Sequence, residues 1–230
     1  MISVLPVPGL PEVKAGDELA DLIVAAVALE DHDVLVVTQK VVSKAEGRLV
    51  ALDPTDPDAR RRVVYGESKR VLRERDGLII SETRHGFVCA NAGVDVSNVA
   101  EGEAALLPLD PDRSARHIRD ALVARTGLVL AVIISDTFGR AWRNGLTDTA
   151  IGCAGIAAIV DLRGTADTFG RRLAATEMCV VDEIAAAAEL AKGKASAVAA
   201  VVVRGLDRSW FRESSVRGEV VRPHQLDLFR

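Results

Sequence analysis

The chain has 230 residues, of which 49% are hydrophobic and only 3% aromatic, and its formal net charge is −4. This length is sufficient to bury a hydrophobic core in one domain, or in two intimately packed lobes. The aliphatic composition favours an α/β protein, with a sheet covered by helices. Acidic and basic residues balance along the chain, which gives no general attraction to nucleic acid or to an anionic membrane.

The first ten residues lack a basic segment followed by an apolar one, and the longest uncharged apolar run, 128–134, is too short to cross a bilayer. We therefore expect a cytoplasmic protein. The three cysteines, Cys89, Cys153 and Cys179, are widely spaced and form no CxxC pair. This spacing argues against a disulfide framework and a zinc site, so we expect small buried side chains.

The first half of the chain predicts three helices and a strand. Residues 17–30 carry apolar side chains at helical spacing, and 34–37 is a short apolar strand candidate. Two Asp-Pro pairs, at 56–57 and 110–111, each place an N-cap residue before a proline at the first helical position. They predict two arginine-rich helices, the second of which ends at Gly127.

The second half predicts the centre of the sheet. Residues 128–134 and 198–203 are continuous, largely aliphatic runs, typical of strands that are buried on both faces. Residues 182–193 begin with an N-cap aspartate and end with Lys-Gly, which predicts a helix beside the last strand. Residues 205–230 are more polar and are interpreted as a peripheral tail or the start of a linker. We expect one domain over residues 1–230.

The strongest local signal is the segment 135–145, which directly follows the apolar run 128–134. Ligands of open α/β sheets gather where strands end. The carboxylate of Asp136 and the hydroxyl of Thr137 are hard oxygen ligands suited to Mg²⁺ or Mn²⁺, and Arg140 and Arg143 suit phosphate or carboxylate. The alternative is that Asp136 caps a helix and the arginines lie on the surface, and spacing alone leaves both open.

Two further segments have a functional and a structural interpretation. The loop 91–98 contains Asp95, which would complete a metal site with Asp136, although such a loop is more often an ordinary turn. In the segment 38–47, Lys40 and Lys44 would share a helical face and reach one anionic ligand. Two solvated lysines on a helix are the commoner outcome.

Several familiar motifs are absent from the sequence. It contains no GxxxxGK[ST] or GxGxxG segment, so any nucleotide is held by neither a P-loop nor a Rossmann turn. It also contains no HExxH or GxSxG motif. His85 is the histidine beside the candidate site region, and we expect a surface or hydrogen-bonded loop role for it.

Five sequence blocks occur in an order that resembles the coenzyme F-420:L-glutamate ligase family along nearly the whole chain: LPVPGLPEV, VVTQKVVSKAEGR, ANAGVDVSN, SDTFGRAWRNGLTDTAIG and AKGKASAVAAVVVRG. The likeness is strongest to the N-terminal ligase domain of two-domain actinobacterial enzymes, without their flavin-binding, nitroreductase-like C-terminal domain. The resemblance implies a mixed sheet with covering helices, two intimately packed lobes and an intertwined homodimer.

The resemblance also implies an activity. Such a ligase uses GTP with Mg²⁺ or Mn²⁺, and a monovalent cation such as K⁺ is a further expectation. It couples L-glutamate to the carboxylate of a deazaflavin precursor through an acyl phosphate, and later glutamates are γ-linked. The other interpretations are a ligase or kinase acting on another acid, with ATP as a possible nucleotide, and a noncatalytic nucleotide-binding protein.

Matching positions assign residues to these roles. The metal ligands are Asp95, Asp136 and Thr137, and Lys44, Arg140 and Arg143 are assigned to catalysis as charge-balancing groups. The nucleotide contacts are Leu10, Pro11, Glu12, Val13, Gln39, Lys40, Lys44, Asn98, Lys192, Gly193 and Lys194.

The chain departs from the family pattern at one position, and its sequence assigns no general base. Archaeal members carry a glutamine that helps to hold a second metal where this chain has Lys194. We hypothesise that its ammonium neutralises phosphate charge in place of part of that metal's role. No residue identifies itself as the general base, since Glu46 and Asp148 are both in reach in principle but are each more often structural.

Overall fold

The computed structural model describes residues 1–193 and 198–228. Within these ranges, six α-helices and twelve strands occur. The strands are β1 (Ser3–Val7), β2 (Asp33–Thr38), β3 (Leu49–Ala51), β4 (Ser68–Arg75), β5 (Leu78–Thr83), β6 (Val88–Ala90), β7 (Glu103–Ala105), β8 (Leu130–Arg140), β9 (Arg143–Ala154), β10 (Val160–Asp161), β11 (Glu177–Met178) and β12 (Ala200–Arg204). The helices are α1 (Leu19–Ala26), α2 (Gln39–Ala45), α3 (Ala59–Glu67), α4 (Pro111–Thr126), α5 (Val180–Lys192) and α6 (Val216–Glu219).

The main sheet has the strand order β1-β12-β2-β8-β9. Strands β2 and β8 run parallel, whereas the other neighbours are antiparallel. The prediction of an α/β protein with a mixed sheet is therefore confirmed. The predicted central strands are confirmed as β8 and β12, although each begins two residues later than its apolar run. The division into two lobes and the dimer stay predictions.

The sheet separates two hydrophobic cores because successive side chains of a strand point to opposite faces. In β2, Leu35 and Val37 pack with residues of α1 and α4 on one face. Val34 and Val36 pack with residues of α5 on the other face. This double coverage explains why residues 34–37 of β2 and 130–134 of β8 are all apolar.

The helix ends confirm some of the predicted caps and correct others. Asp110 caps α4 by accepting from the Arg113 N–H at 3.0 Å, and Gly127 ends that helix with a left-handed φ of +71°. In contrast, α3 begins after Asp58, because the Asp56 carboxylate accepts from the Asp58 N–H in a preceding turn. Helix α1 is shorter than predicted and covers Leu19–Ala26.

Helix α5 begins before the aspartate that was expected to cap it. The Asp182 carboxylate instead accepts from the Ala150 N–H at 2.9 Å and joins α5 to β9. Burial raises the pKa of this carboxyl group. Asp182 therefore makes a tertiary contact, which a local sequence pattern does not reveal.

The C-terminal segment packs more closely than a peripheral tail would. Val216 is fully buried, and its N–H donates to Asp112 at 2.8 Å. Trp210 and Phe211 pack against the core on the α5 side of the sheet. The described residues from about 207 to 221 therefore contribute to the main core.

A smaller group of elements carries the loop that contains Asp95. Strands β4, β5 and β6 form a three-stranded sheet, and β3 pairs with β7. Apolar side chains of these strands and of α3, among them Ile79 of β5 and Val64 of α3, form a third core. Asp95 bridges to Ala105 through two backbone hydrogen bonds of 3.0 and 2.8 Å, which fixes the loop beside β7.

All three cysteines are free thiols; Cys89 and Cys153 are buried and Cys179 is half-buried. The expectation of small buried side chains is confirmed for the first two. Throughout residues 1–193 and 198–228, no helix combines the length and the apolar character needed to cross a bilayer.

Candidate functional site

A cleft of about 720 Å³ opens at the carboxyl end of β2, where its parallel pairing with β8 stops. Thr38 at the end of β2 lies opposite Ser135 in β8, and both line the cleft. Helix α2 begins at the next residue, Gln39. The chain turns into a helix here while β8 continues outward, and this divergence creates the opening, as expected at the carboxyl edge of such strands.

Helix α2 presents two lysines to the cleft. Lys40 Nζ lies 2.9 Å from Asp95 Oδ2 and 2.7 Å from Ser97 Oγ. Lys44 pairs with Glu12. These three partners and the two lysines all belong to the described lining of the cleft. The predicted shared face is thus observed, and both lysines are paired with acids in a concave site.

Asp136 and Thr137 lie within β8, so the expectation that they follow a strand end is wrong. The strand continues to Arg140 because β9 supplies backbone partners for these polar residues. Asp136 is half-buried and accepts from the Thr137 N–H at 2.9 Å. Its position in a strand also excludes the helix N-cap interpretation.

The two acidic segments that were expected to converge do so, although one is a loop and the other is part of β8. Asp95 and Asp136 line the same cleft. Burial raises the pKa of the Asp136 carboxyl to about 7, and the negative charges of Asp95 and Asp148 add to this effect. At Asp95 burial also acts against ionisation, but hydrogen bonds from Ser97 and Lys40 outweigh it and lower the pKa.

Behind these groups lies a buried ionic network. Asp148 in β9 and Lys192 at the end of α5 are 3% and 1% exposed, and their Oδ2 and Nζ atoms are 2.6 Å apart. Asp148 also accepts from Ser135 Oγ at 3.0 Å and from Thr137 Oγ1 at 2.6 Å. From the sequence, Asp148 is only a candidate base. Its place opposite Thr137 cannot be predicted, because it depends on a register shift between β8 and β9.

Other predicted site residues are distributed unevenly. Glu12, Gln39, Asn98 and Gly193 line the cleft. Arg140 and Arg143 face each other next to the tip of the β8–β9 hairpin; they are exposed and are not among the described lining residues.

The segment 10–13 contributes mainly through Glu12. Val13 is buried in the main core, Leu10 packs against that core, and Pro11 is exposed. Lys194 lies outside the described residues. The roles of all these residues stay predictions.

Two residues considered from sequence lie elsewhere. Glu46 accepts a hydrogen bond from Ser114 in a smaller cleft between α1, α2 and α4. His85 Nε2 lies 2.9 Å from the Pro108 carbonyl oxygen, and burial lowers its pKa. The expected hydrogen-bonded loop role of His85 is confirmed.

The charges of the cleft suit a bound cation. Its described lining contains five acidic residues and three lysines, so an anionic ligand would meet excess negative charge. Among the described residues, no three His, Cys, Asp or Glu side chains are grouped to hold a metal on their own. Two carboxylates and a hydroxyl still fit Mg²⁺ or Mn²⁺, because Mg²⁺ commonly takes one or two protein carboxylates and completes its shell with phosphate oxygens and water.

The fold and the cleft define an α/β protein with a charged ligand site where the parallel pairing of β2 and β8 ends. Comparison with known proteins identifies its family. Residues 9–205 match the family model described as F420-0:Gamma-glutamyl ligase, and the chain belongs to this family.

Three curated relatives share the name coenzyme F420:L-glutamate ligase. The protein from Methanothermobacter thermautotrophicus is 43% identical over 249 residues, covering 100% of this chain and 99% of the relative. The protein from Archaeoglobus fulgidus is 43% identical, covering 100% and 96% of the two chains. The protein from Methanopyrus kandleri is 41% identical, covering 98% and 96%.

Proposed function

We propose that this chain joins L-glutamate to the carboxylate of the coenzyme F420 deazaflavin precursor at the expense of GTP, and that further glutamates are γ-linked. The family match and the names of the relatives support the ligase reaction. The observation that carries the proposal is the convergence of Asp95 and Asp136 in one cleft beside Lys40 and Lys44. That arrangement suits a triphosphate with its divalent cation.

The reaction proceeds in two steps. A carboxylate is a poor electrophile toward an amine, so its oxygen first attacks the γ-phosphorus of GTP, which forms an acyl phosphate and releases GDP. The glutamate nitrogen then attacks the acyl carbon, loses a proton and displaces inorganic phosphate. Phosphoryl transfer depends mainly on positioning and on neutralisation of charge.

The lysines supply part of that neutralisation. Lys44 pairs with Glu12, whose side chain is 74% exposed and can turn into solvent when a phosphate takes its place. Lys40 pairs with Asp95 and lines the cleft, where it can contact an anionic ligand. Bidentate contacts from Arg140 or Arg143 would require the hairpin tip to approach the bound substrates.

Asp95, Asp136 and Thr137 would hold Mg²⁺ or Mn²⁺. The bound cation would neutralise phosphate charge and polarise the transferring group. The raised pKa of Asp136 is consistent with this assignment, because a nearby cation favours the ionised carboxylate that burial and the neighbouring acids disfavour.

Gln39 supports the presence of a polar ligand. Its Nε2 donates to the Leu106 carbonyl oxygen at 2.9 Å and to Ser43 Oγ at 2.7 Å, and these bonds fix the orientation of the amide. Its Oε1 is buried and has no hydrogen-bond partner within the described part of the chain. A ligand N–H or O–H group would satisfy this acceptor, whose burial without a partner is costly.

The test is to incubate the purified protein with deazaflavin precursor, L-glutamate, GTP and Mn²⁺ and to analyse the products by mass spectrometry. The proposal predicts precursor that has gained glutamyl residues, together with GDP and phosphate, and no such products when any one component is omitted. Unmodified precursor in the complete mixture would contradict the proposal. If the protein binds GTP without turning it over, a noncatalytic nucleotide-binding protein is supported. If glutamylation occurs with ATP and not with GTP, the proposed nucleotide is wrong.

A further inference from the structure

We propose that Asp148 is a positioning residue for the cation site. Its carboxylate orients the Thr137 hydroxyl so that the oxygen lone pairs face the cation, and it simultaneously anchors Lys192 in the wall of the cleft. This inference rests on the proposed function, because it assigns a role to a residue next to the proposed metal ligands.

A hydrogen bond between Thr137 and Asp148 fixes the orientation of the Thr137 hydroxyl. The two residues face each other across β8 and β9, and Thr137 Oγ1 lies 2.6 Å from Asp148 Oδ1. An ionised carboxylate can only accept, so the hydroxyl donates its single proton to Asp148. Its lone pairs are then directed away from Asp148. Without this acceptor, the hydroxyl would lose the partner that directs its proton away from the cation position, which would weaken binding there.

The second carboxylate oxygen of Asp148 binds Lys192 and Ser135. Asp148 Oδ2 accepts from Lys192 Nζ at 2.6 Å and from Ser135 Oγ at 3.0 Å, while Lys192 Nζ also donates to Ser135 at 2.8 Å. A buried ammonium group requires such a partner, because an uncompensated buried charge is strongly destabilising. One side chain thus links β8, β9 and the end of α5 at the cleft.

The partners of Asp148 differ from those of a buried acid elsewhere in the chain. Asp112 accepts from the backbone N–H groups of Cys153, Val216 and Arg217, and these bonds join a helix to a strand and to the C-terminal segment. The partners of Asp148 given above are side chains that all line the cleft. This difference favours a role in arranging the site in addition to a role in folding.

The test is equilibrium dialysis of the protein against Mn²⁺ and a nonhydrolysable GTP analogue. Both small molecules cross the dialysis membrane, so the excess of Mn²⁺ on the protein side measures the cation that the protein holds. We expect Asp148→Asn to weaken Mn²⁺ binding by about tenfold to 100-fold, the range found when the partner of a metal ligand is removed. Lys192 can only donate, so it takes the one remaining acceptor oxygen, and the amide N–H group then faces Thr137. In a Thr137→Val background, the same substitution should have a clearly smaller effect, because only the part that acts through Lys192 remains.

Two further variants guard against a loss of folding. Asp148→Glu keeps a negative charge beside Lys192 but displaces the oxygen that accepts from Thr137, so it should also weaken Mn²⁺ binding while the protein remains folded. Asp112→Asn should lower the free energy of unfolding and leave Mn²⁺ binding to the folded protein unchanged.

The outcomes separate this inference from the proposed function. Unchanged Mn²⁺ affinity in a folded Asp148 variant would overturn the inference, as would an equal loss with and without the Thr137 hydroxyl. If the unsubstituted protein retains no Mn²⁺, the proposed cation site itself fails and the inference fails with it.

Discussion

A substitution of Gly152 tests how β9 is held against α4. A Cβ atom added at Gly152 would lie 2.3 Å from the carbonyl carbon and oxygen of Pro111 and 2.8 Å from the Asp112 nitrogen. These are backbone atoms of α4, whose first turn is capped by Asp110 and tied to β9 by Asp112. The steric clash can therefore be relieved only if the helix and the strand move apart. Such a shift would disturb the strand that carries Asp148.

The expected cost follows from this geometry. Overpacking typically destabilises a protein by about 1–3 kcal/mol, and we expect Gly152→Ala to reach about 3 kcal/mol because neither neighbour is a flexible side chain. For a chain of this size, each kcal/mol lowers Tm by about 2–4 °C, which gives a fall of about 6–12 °C. Urea denaturation followed by circular dichroism measures the free energy of unfolding directly.

Gly139 provides the matched control in the partner strand. The nearest atom to a Cβ added there is Leu146 Cδ2 at 3.8 Å, an ordinary contact. We expect Gly139→Ala to keep or slightly raise stability, because glycine inside a strand costs about 0.5–1 kcal/mol relative to alanine. If Gly152→Ala unfolds within about 0.5 kcal/mol of the unsubstituted protein, the close packing of α4 on β9 is refuted.

Three further predictions concern single side chains. Asp136→Ala should lower turnover by at least about two orders of magnitude in the mass-spectrometric assay, the scale of losing a major electrostatic stabiliser, and near-normal activity would refute its metal role. Because burial raises the pKa of the Cys89 and Cys153 thiols to about 12, an alkylating reagent at neutral pH should label them only after unfolding; rapid labelling of the folded protein would show that they are accessible. Burial lowers the pKa of His85, so the unfolded chain binds a proton on this imidazole more readily than the folded protein does. The stability that the neutral imidazole contributes to the fold is therefore present above about pH 6.5 and is lost as the pH falls. His85→Gln should reduce the pH dependence of the unfolding free energy in that range, and an unchanged slope would contradict the assignment.

The central strands could be predicted because their sequences carry the signal locally. Runs of Val, Ile, Leu and Ala without charges are favourable only where both faces of a strand are covered. The Asp110 cap and the Gly127 terminus are likewise set by neighbouring residues. The outer half of β8 was missed since its polar residues obtain their strand conformation from pairing with β9.

The candidate site could be predicted in part for the same reason. Helical spacing predicted the shared face of Lys40 and Lys44, and the chemistry of hard cations suggested that Asp95 and Asp136 converge. The position of Asp148 depends on the register of a long hairpin and on a buried partner from α5, Lys192. Such contacts join residues far apart in sequence, and no local pattern specifies them.

A crystal structure with Mn²⁺ and a nonhydrolysable GTP analogue, examined by anomalous scattering, would locate the cation in the cleft. We expect one manganese peak within direct coordination distance of carboxylate oxygens of Asp95 and Asp136 and of a terminal phosphate oxygen. A manganese ion bound elsewhere, or a nucleotide whose phosphates lie outside this cleft, would contradict the proposed ligase site.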